Sequence, residues 1–302
     1  MPESVFLSYA QNGEDVVLWR ALQHVTAGRY VEVGANHPSE MSVTKAFYDA
    51  GWSGITVEPV PVYASLHREL RPRDTLVEAA ITDADVHTVT LHEIPGTGLS
   101  TLVDAVSTSH EGNGWAHRDI EVAARRLDDV LEEHLSPDEP IHFLLIDVEG
   151  AERSVLASVD LHRWRPWVLV VEATNPLSPE PSHMAWEDGV LAADYRLCLF
   201  DGLSRFYVAA EHEELAAALS YPACPHDVYD TRVARDAREE RRELLDEVLR
   251  WRALALEGWA RSATPPSDDE AERLRAELAA MRATISWRVT APLRSVRSRT
   301  RG

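Results

Sequence analysis

Gly34 and Glu58 carry the first chemical signal in this chain. Gly34 directly follows the apolar segment Tyr30 to Val33, and a glycine at such a point lets the backbone approach a ligand where a side chain would block it. Glu58 ends the next apolar segment, where a carboxylate can accept hydrogen bonds from both hydroxyls of a ribose. A glycine turn after one strand and an acid after the next predict a nucleoside-binding site.

The turn after the first strand indicates which cofactor would supply this nucleoside. It runs from Gly34 to Pro38 with one glycine, unlike the GxGxxG turn that cradles a pyrophosphate, and Pro38 lacks the N–H that a phosphate would use. Lys45 is the only lysine and Met41 stands where a Tyr-x-x-x-Lys pair would have its tyrosine, which argues against a short-chain dehydrogenase. S-adenosylmethionine contains a nucleoside and no phosphate, so the turn favours this cofactor.

Acidic side chains after later apolar segments are candidates for the chemical step. Asp147 and Glu172 end two segments that are expected to be neighbouring strands, and with Asp201 they form the predicted Mg²⁺ site. Such an ion would orient two vicinal hydroxyls and lower the pKa of one. Without a metal, Asp147 or Glu149 is the candidate general base. The alternative for Asp147 is that it caps the following helix.

Histidines offer a further candidate base. His183 follows the Glu172 strand, in the region where an acceptor hydroxyl would bind, and an imidazole there could remove its proton. His110 and His117 are weaker candidates, because each is typical of a solvated loop. The predicted catalytic residues are therefore Asp147, Glu149 and His183.

Alternating strands and helices must position these groups. Beyond the two strands above, strands are predicted at Leu76 to Ala80, Val86 to Ile94, Ile141 to Ile146 and Trp167 to Val171, with a hairpin at Tyr195 to Phe200 and Ser204 to Ala209. Helices are predicted at Ser42 to Ala50, Arg126 to His134, Ala151 to Val159 and a segment ending at Asp194. This alternation predicts an α/β fold with a doubly wound, mostly parallel sheet that binds ligands at the carboxyl ends of its strands.

Two regions depart from this pattern. Gly96 to Ile120 is predicted to be irregular, as a functional lid or a disordered segment. After Pro225 the chain becomes charged, which predicts a catalytic domain over residues 1–225, a helical extension over 226–285 and a basic tail over 286–302. The extension has a narrow apolar seam that indicates a coiled coil or, equally, a helix packed on the domain: Leu274, Leu278, Met281 and Ile285.

Composition excludes several classes of protein. The 302-residue chain has a formal net charge of -20, which makes it a poor partner for nucleic acid. The two cysteines, Cys198 and Cys224, form no CxxC pair, and no secretory signal or membrane-spanning run is evident. A cytoplasmic location is expected. The arginine-rich tail with Trp287 predicts weak association with the inner face of a membrane, the alternative being pairing with the acidic surface of the same protein.

Several motifs in this order together resemble the FkbM family of S-adenosylmethionine-dependent methyltransferases. They are Tyr9 to Asp15, Val31 to Asn36, Gly51 to Pro59, Thr97 to Thr101 and Ile146 to Glu152. The similarity extends from about Ser8 to Val208. It implies a class I methyltransferase (Rossmann-like) fold and O-methylation, often of sugars. One departure is Pro38, where the family commonly has a glycine, and it leaves the path of that loop open.

The resemblance and the strand ends together predict the cofactor contacts: Gln11, Asn12, Glu14, Glu32, Gly34, Asn36, Glu58, Pro59, Ala80 and Asp147. By the resemblance, the first three would bind the methionine end of the cofactor. The alternative for Asn12 is the N-cap of a helix that begins there.

Two functions of different class follow. The first is an O-methyltransferase that acts on a sugar-containing acceptor such as a polysaccharide, glycolipid or glycosylated metabolite. The second is a non-catalytic scaffold that docks a glycosyltransferase partner through its C-terminal helices. A homo-oligomer is compatible with either function.

Overall fold

The computed structural model describes residues 5–136, 138–262 and 267–289. The chain divides into two compact units, residues 1–236 and 237–302. The boundaries expected at residues 225 and 285 stay a prediction. Most of the basic tail, residues 290–302, lies outside the described residues, and so does its expected membrane contact.

Twelve strands are found in the described residues. They are β1 Phe6–Ser8, β2 Arg29–Val33, β3 Ser53–Val57, β4 Thr75–Val77, β5 Ala80–Ile81, β6 Thr88–Glu93, β7 Arg118–Arg125, β8 Phe143–Ile146, β9 Val168–Glu172, β10 Tyr195–Phe200, β11 Ser204–Ala209 and β12 Tyr229–Thr231.

The α-helices of the same residues are mostly short. They are α1 Glu14–Leu22, α2 Lys45–Asp49, α3 Pro61–Leu70, α4 Asp104–Gly112, α5 Leu127–His134, α6 Glu152–Ala157, α7 Leu161–Trp164, α8 Glu187–Ala192, α9 Ala216–Leu219, α10 Arg232–Ser262, α11 Asp268–Ala283 and α12 Ile285–Val289. Short 3₁₀ turns occur at His183–Ala185, Ala210–Leu215 and Pro225–Asp227.

A seven-stranded sheet forms the centre of the first unit, in the order β10-β11-β9-β8-β2-β3-β4. Strands β9, β8, β2, β3 and β4 are parallel, and β11 runs antiparallel to both β9 and β10. The doubly wound, mostly parallel sheet with a C-terminal antiparallel hairpin is therefore confirmed. Strands β5, β7 and β6 form a separate three-stranded sheet, and β1 pairs with β12.

Apolar side chains cover both faces of the central sheet, because successive residues of a strand point to opposite faces. Val31 and Val33 of β2 belong to the core that includes α5 to α8. Tyr30 of the same strand belongs to the core that includes α1, α2 and α9. Burial on both faces explains why these strands read as continuous apolar runs in the sequence.

Four local predictions are wrong. The connection expected to be irregular contains α4 and the start of β7, whose pairing with β5 and β6 is long-range. The strand expected at Leu76 to Ala80 is split, because β4 pairs with β3 and β5 with β7. Gly13, with φ 78°, is the N-cap of α1 in place of Asn12. Ala151, and not Asp147, is the N-cap of α6.

The helical part after β12 is charged and exposed. Helix α10 contains 31 residues, and the seam residues Leu274, Leu278 and Met281 of α11 are exposed. None of the helices in the described residues has the length and apolarity that a membrane span requires.

Arg71 is the centre of a buried polar network beside β2. Its guanidinium donates to Asp74 Oδ2 at 2.8 Å, to the Tyr30 hydroxyl at 2.8 Å and to Thr44 Oγ1 at 2.7 Å. The Thr44 hydroxyl in turn donates to Glu32 Oε2 at 2.7 Å. Two further bonds reach the Pro38 carbonyl and the Ser42 hydroxyl. The network fixes the loop between β2 and α2, which begins with the turn at Gly34.

We expect Arg71→Ala to lower the free energy of unfolding by about 3–5 kcal/mol, because it leaves buried partners of a charged network unpaired. Arg68→Ala is the matched control, since Arg68 forms an exposed ion pair with Glu78 that is worth about 0–1 kcal/mol. Urea unfolding of both variants measures the difference. Equal losses would contradict the central role of Arg71.

Candidate functional site

Gly34 directly follows β2 and packs against the backbone of Asp147, which directly follows the neighbouring strand β8. It has φ +86°, and a Cβ at this position would lie 1.7 Å from the Asp147 carbonyl oxygen. The Asp147 N–H also donates to the Val33 carbonyl at 3.0 Å. Because the two backbones meet this closely, the position requires glycine for packing, whatever ligand binds above it.

Glu58 is held rigidly at the end of β3. Its two carboxylate oxygens accept the N–H groups of Asn36 and Val60, each at 2.7 Å. The side chain is buried, and this burial raises the pKa of Glu58 to about 7. The carboxylate is thus fixed at the turn that contains Gly34, as the two-residue signal in the sequence predicts.

A pocket lies at this edge of the sheet, and about 580 Å³ of space, part of it open solvent, lies between its walls. Six of the ten predicted cofactor contacts line it: Gly34, Asn36, Glu58, Pro59, Ala80 and Asp147. Its walls also include apolar or aromatic residues that the sequence did not single out: Tyr63, Ala79, Ile81, Leu91 and Leu102. Among its described lining residues are three acids and no Lys, Arg or His, so the pocket suits a cation better than a phosphate.

The segment between β6 and α4 closes one side of the pocket. Thr97, Gly98, Ser100 and Leu102 line it. Thr101 exchanges two backbone hydrogen bonds with His92, and its hydroxyl donates to the Glu149 carbonyl at 2.8 Å. The motif Thr97 to Thr101 is one of those that resemble the FkbM family. This resemblance is the feature of the sequence that indicates a role for the segment in the site.

The turn after β8 presents the acids of the site. The Glu152 carboxylate accepts the N–H groups of Val148 and Gly150, and so holds the turn closed. Glu149 lies at its apex with φ 52°, an uncommon backbone conformation for a residue with a side chain. Strained residues of this kind are concentrated at functional sites.

Asp147 and Glu172 end the adjacent parallel strands β8 and β9, as predicted. Beyond the effect of burial, the charge of Asp147 contributes to a raised pKa of Glu172. Glu172 is buried, whereas Asp147 is open to the pocket yet surrounded by protein atoms. The surrounding protein atoms displace water from both carboxyl groups and so raise the pKa of each.

The other acids at this edge are also poorly solvated. Burial, followed by the charges of Asp147 and Glu152, raises the pKa of Glu149 to about 8. Burial raises the pKa of Glu152 to about 7. A carboxyl group with a pKa near neutrality can exchange a proton with a substrate at working pH.

The predicted magnesium ligands do not converge. Asp201 lies in the β10–β11 turn, where its Oδ1 accepts the N–H groups of Leu203 and Ser204. Among the described residues, Asp147, Glu172 and Asp201 are not found as a group with ligand atoms within 4.8 Å of one another. Magnesium binding stays an untested prediction.

The remaining predicted cofactor contacts lie outside this pocket. Gln11 and Asn12 are exposed, and the Glu14 carboxylate accepts the Asn12 N–H at 2.9 Å. Burial, the largest influence, raises the pKa of Glu14 to about 8. Glu32 points into the Arg71 network described above. A cofactor role for these four residues stays a prediction.

His183 begins a 3₁₀ turn after β9. Its Nε2 lies 3.7 Å from a carboxylate oxygen of Glu187, and its buried Nδ1 has no hydrogen-bond partner among the described residues. His183 does not line the pocket that contains Asp147 and Glu149. Its catalytic role also stays a prediction.

The strand order and the pocket at the carboxyl edge define a class I methyltransferase fold. The FkbM methyltransferase domain matches residues 32–197, which is more than half of the sequence. This chain belongs to the FkbM methyltransferase family and is a methyltransferase.

Solved structures show weaker likeness. A conserved hypothetical protein from Streptococcus pyogenes is 10% identical over 64% of this chain and 96% of its own, with a TM-score of 0.30. A proposed methyltransferase from Thermobifida fusca YX is 9% identical over 65% of this chain and 80% of its own, with a TM-score of 0.33. These scores are too low to inform function. No curated protein matches the chain significantly.

The raised pKa values of the buried acids predict how the stability of the protein depends on pH. Glu14, Glu58 and Glu152 have folded-state pKa values of about 8, 7 and 7, all above their ordinary value. Between about pH 4.5 and pH 8 the folded protein holds protons that the unfolded chain has lost, so its stability falls as the pH rises. We expect the thermal midpoint of the ligand-free protein to decrease from pH 5 to pH 8.

Glu152→Gln tests the cause, because it keeps the acceptor oxygen for the turn and removes the ionisation. Between these pH values, the free energy of unfolding of the variant should fall by roughly 3 kcal/mol less than that of the wild type. A level or rising midpoint in the wild type, or the same slope in the variant, would show that these acids do not control the dependence.

Proposed function

We propose that this methyltransferase uses S-adenosylmethionine to methylate a hydroxyl group of a sugar-containing acceptor. The observation that carries the proposal is the acid-lined pocket at the carboxyl edge of the sheet, with Glu58 beside the Gly34 turn. Family membership supports the reaction class. The O-specificity, the cofactor and the acceptor are the proposed parts.

The pocket residues fit the three parts of this cofactor. Ala80, Leu91 and Leu102 offer an apolar wall for an adenine ring. Each oxygen of Glu58 accepts one backbone N–H and retains capacity to accept a ribose hydroxyl. Asp147 places a carboxyl group where a sulfonium or an ammonium group would be stabilised.

Bound S-adenosylmethionine would supply an electrophilic methyl group on a positively charged sulfur. The protein then has to hold the acceptor oxygen in line with that methyl group and remove its proton. Glu149 is the general base that we favour, because it lines the pocket and has a pKa near 8. As the oxygen–methyl bond forms and the methyl–sulfur bond breaks, the hydroxyl proton passes to the Glu149 carboxylate.

A neutral sugar hydroxyl is the acceptor that the charges favour. A chain of net charge -20 with several acids around its pocket repels an anionic acceptor. Comparing glycans and glycolipids from cells with and without the protein by mass spectrometry would identify the acceptor, as a product that lacks one methyl increment.

Helices α10 and α11 favour a second candidate, the scaffold that docks a glycosyltransferase. Their exposed apolar side chains, such as Trp259 at 72% exposure, are suited to protein contact. Absence of cofactor binding by the intact protein would favour this candidate over the enzyme.

Glu58→Ala should weaken S-adenosylmethionine binding more than about 10-fold, because it removes two hydrogen bonds to a charged acceptor that are each worth roughly 1.5–3 kcal/mol. Calorimetry of the full-length protein measures the dissociation constant. Glu78→Ala, at an exposed position near the same edge, is the matched control and should bind like the wild type. An unchanged constant for Glu58→Ala would remove this residue from the site.

Glu149→Gln should lower kcat by about 10²- to 10⁴-fold and leave cofactor affinity within a few-fold, since it removes a base and preserves the shape of the turn. Transfer of labelled methyl groups to a glycan and glycolipid extract from cells lacking the protein provides the assay. The wild-type rate should fall at pH values below about 8, as the base becomes protonated. A variant with the wild-type rate would exclude Glu149 as the base.

A further inference from the structure

We propose that His92, His117 and Asp119 form a binding site for one transition-metal ion of the zinc type, outside the cofactor pocket. The proposal does not depend on the proposed function. In the part of the chain that the structure describes, these are the one set of three His, Cys, Asp or Glu side chains whose ligand atoms all lie within 4.8 Å of one another.

Three ligand atoms converge between strands β6 and β7. His92 Nδ1 lies 2.7 Å from Asp119 Oδ1, a cross-strand neighbour in the β6–β7 register. His117 Nε2, just before β7, lies 3.4 Å from the same oxygen. Zinc binds imidazole nitrogen and carboxylate oxygen at about 2.0–2.2 Å in tetrahedral geometry, which separates neighbouring ligand atoms by about 3.4 Å. A small movement of Asp119, which is 59% exposed at its side chain, would open the shorter distance to this value.

The opposite ring nitrogen of each histidine already has an orienting partner. His92 Nε2 lies 2.9 Å from Asp104 Oδ1, and His117 Nδ1 lies 3.2 Å from the Ser107 hydroxyl. A histidine that binds a metal almost always donates its other N–H to a carboxylate, carbonyl or similar group, which fixes the ring and its tautomer. Two histidines held in this way distinguish the cluster from an accidental ion pair.

The donor set indicates the class of metal. Two imidazoles and one carboxylate suit zinc and its transition-metal neighbours, whereas magnesium and calcium prefer oxygen donors alone. Three protein ligands leave a fourth tetrahedral position for water.

The position of the site links it to the wall of the cofactor pocket. His92 lies on β6 immediately before the pocket-lining segment, and Asp104 begins α4 immediately after it. Ser107, the partner of His117, is also on α4. A metal at this point would tie both ends of the segment from Ile94 to Val103 to the β6–β7 pair. We therefore expect the ion to order this wall and not to take part in methyl transfer.

Zinc titration of the untagged full-length protein, stripped with a chelator and desalted, tests the site. Competition with a chromogenic zinc indicator should show one high-affinity equivalent. Asp104→Ala should weaken binding about 10- to 100-fold, because it removes an orienting partner and no ligand. His92→Gln, His117→Gln and Asp119→Asn should each weaken it further than that. His162→Gln, an exposed histidine on α7, is the control and should bind like the wild type.

Cobalt provides a second readout that also reports the geometry. The wild type with Co²⁺ should show the intense visible bands of a four-coordinate ion, and Asp119→Asn should lose them while its far-ultraviolet circular dichroism stays unchanged. Asp119 is exposed, so this variant is expected to fold. Two results would overturn the proposal. One is a wild-type zinc affinity no tighter than that of His92→Gln, and the other is an Asp104→Ala variant that binds zinc as well as the wild type.

Discussion

Burying carboxyl groups without cations is the constraint on which this site depends. Glu58, Glu149, Glu152, Asp147 and Glu172 lie at the carboxyl edge of the central sheet, where burial raises the pKa of every one of them. A carboxylate that leaves water must be neutralised, hydrogen-bonded or paired. Backbone N–H groups satisfy Glu58 and Glu152. The remaining electrostatic deficit is what a cationic ligand in the pocket would relieve.

Beside β2, in contrast, buried acidic and polar groups are paired with a cation, Arg71. The N–H groups of the buried Arg71 guanidinium donate hydrogen bonds to nearby acceptors, and the Asp74 carboxylate compensates its positive charge. Because the donors of Arg71 have acceptors within the protein, the network stabilises the fold and fixes the loop after Gly34. The Arg71 cluster is therefore structural, whereas three acids of the other cluster, Glu58, Asp147 and Glu149, line the pocket.

The floor of the pocket is formed by the closely packed turns after β2 and β8. One of its walls is formed by the segment between β6 and α4. Gly34 lies against the Asp147 carbonyl, so the turns after β2 and β8 form one rigid unit. The segment before α4 rests on this unit through the hydrogen bond from Thr101 to the Glu149 backbone. If zinc binds at His92, His117 and Asp119, the ordering of that wall becomes sensitive to metal supply, although the catalytic groups are elsewhere.

The doubly wound sheet, its strand ends and the glycine–acid pair at Gly34 and Glu58 are predictable from the sequence, because continuous apolar runs and the residues that end them are local signals. The sequence also placed Asp147 and Glu172 on neighbouring strands. Three contacts became visible in the folded chain alone: Glu32 faces the Arg71 network, Asp201 accepts hydrogen bonds in a hairpin turn, and His92 contacts Asp119. Each of these depends on which face a strand presents, or on pairing between distant segments such as β6 and β7. Periodicity within one segment carries no information about its partner, so contacts made across the chain are fixed only when the whole sheet assembles.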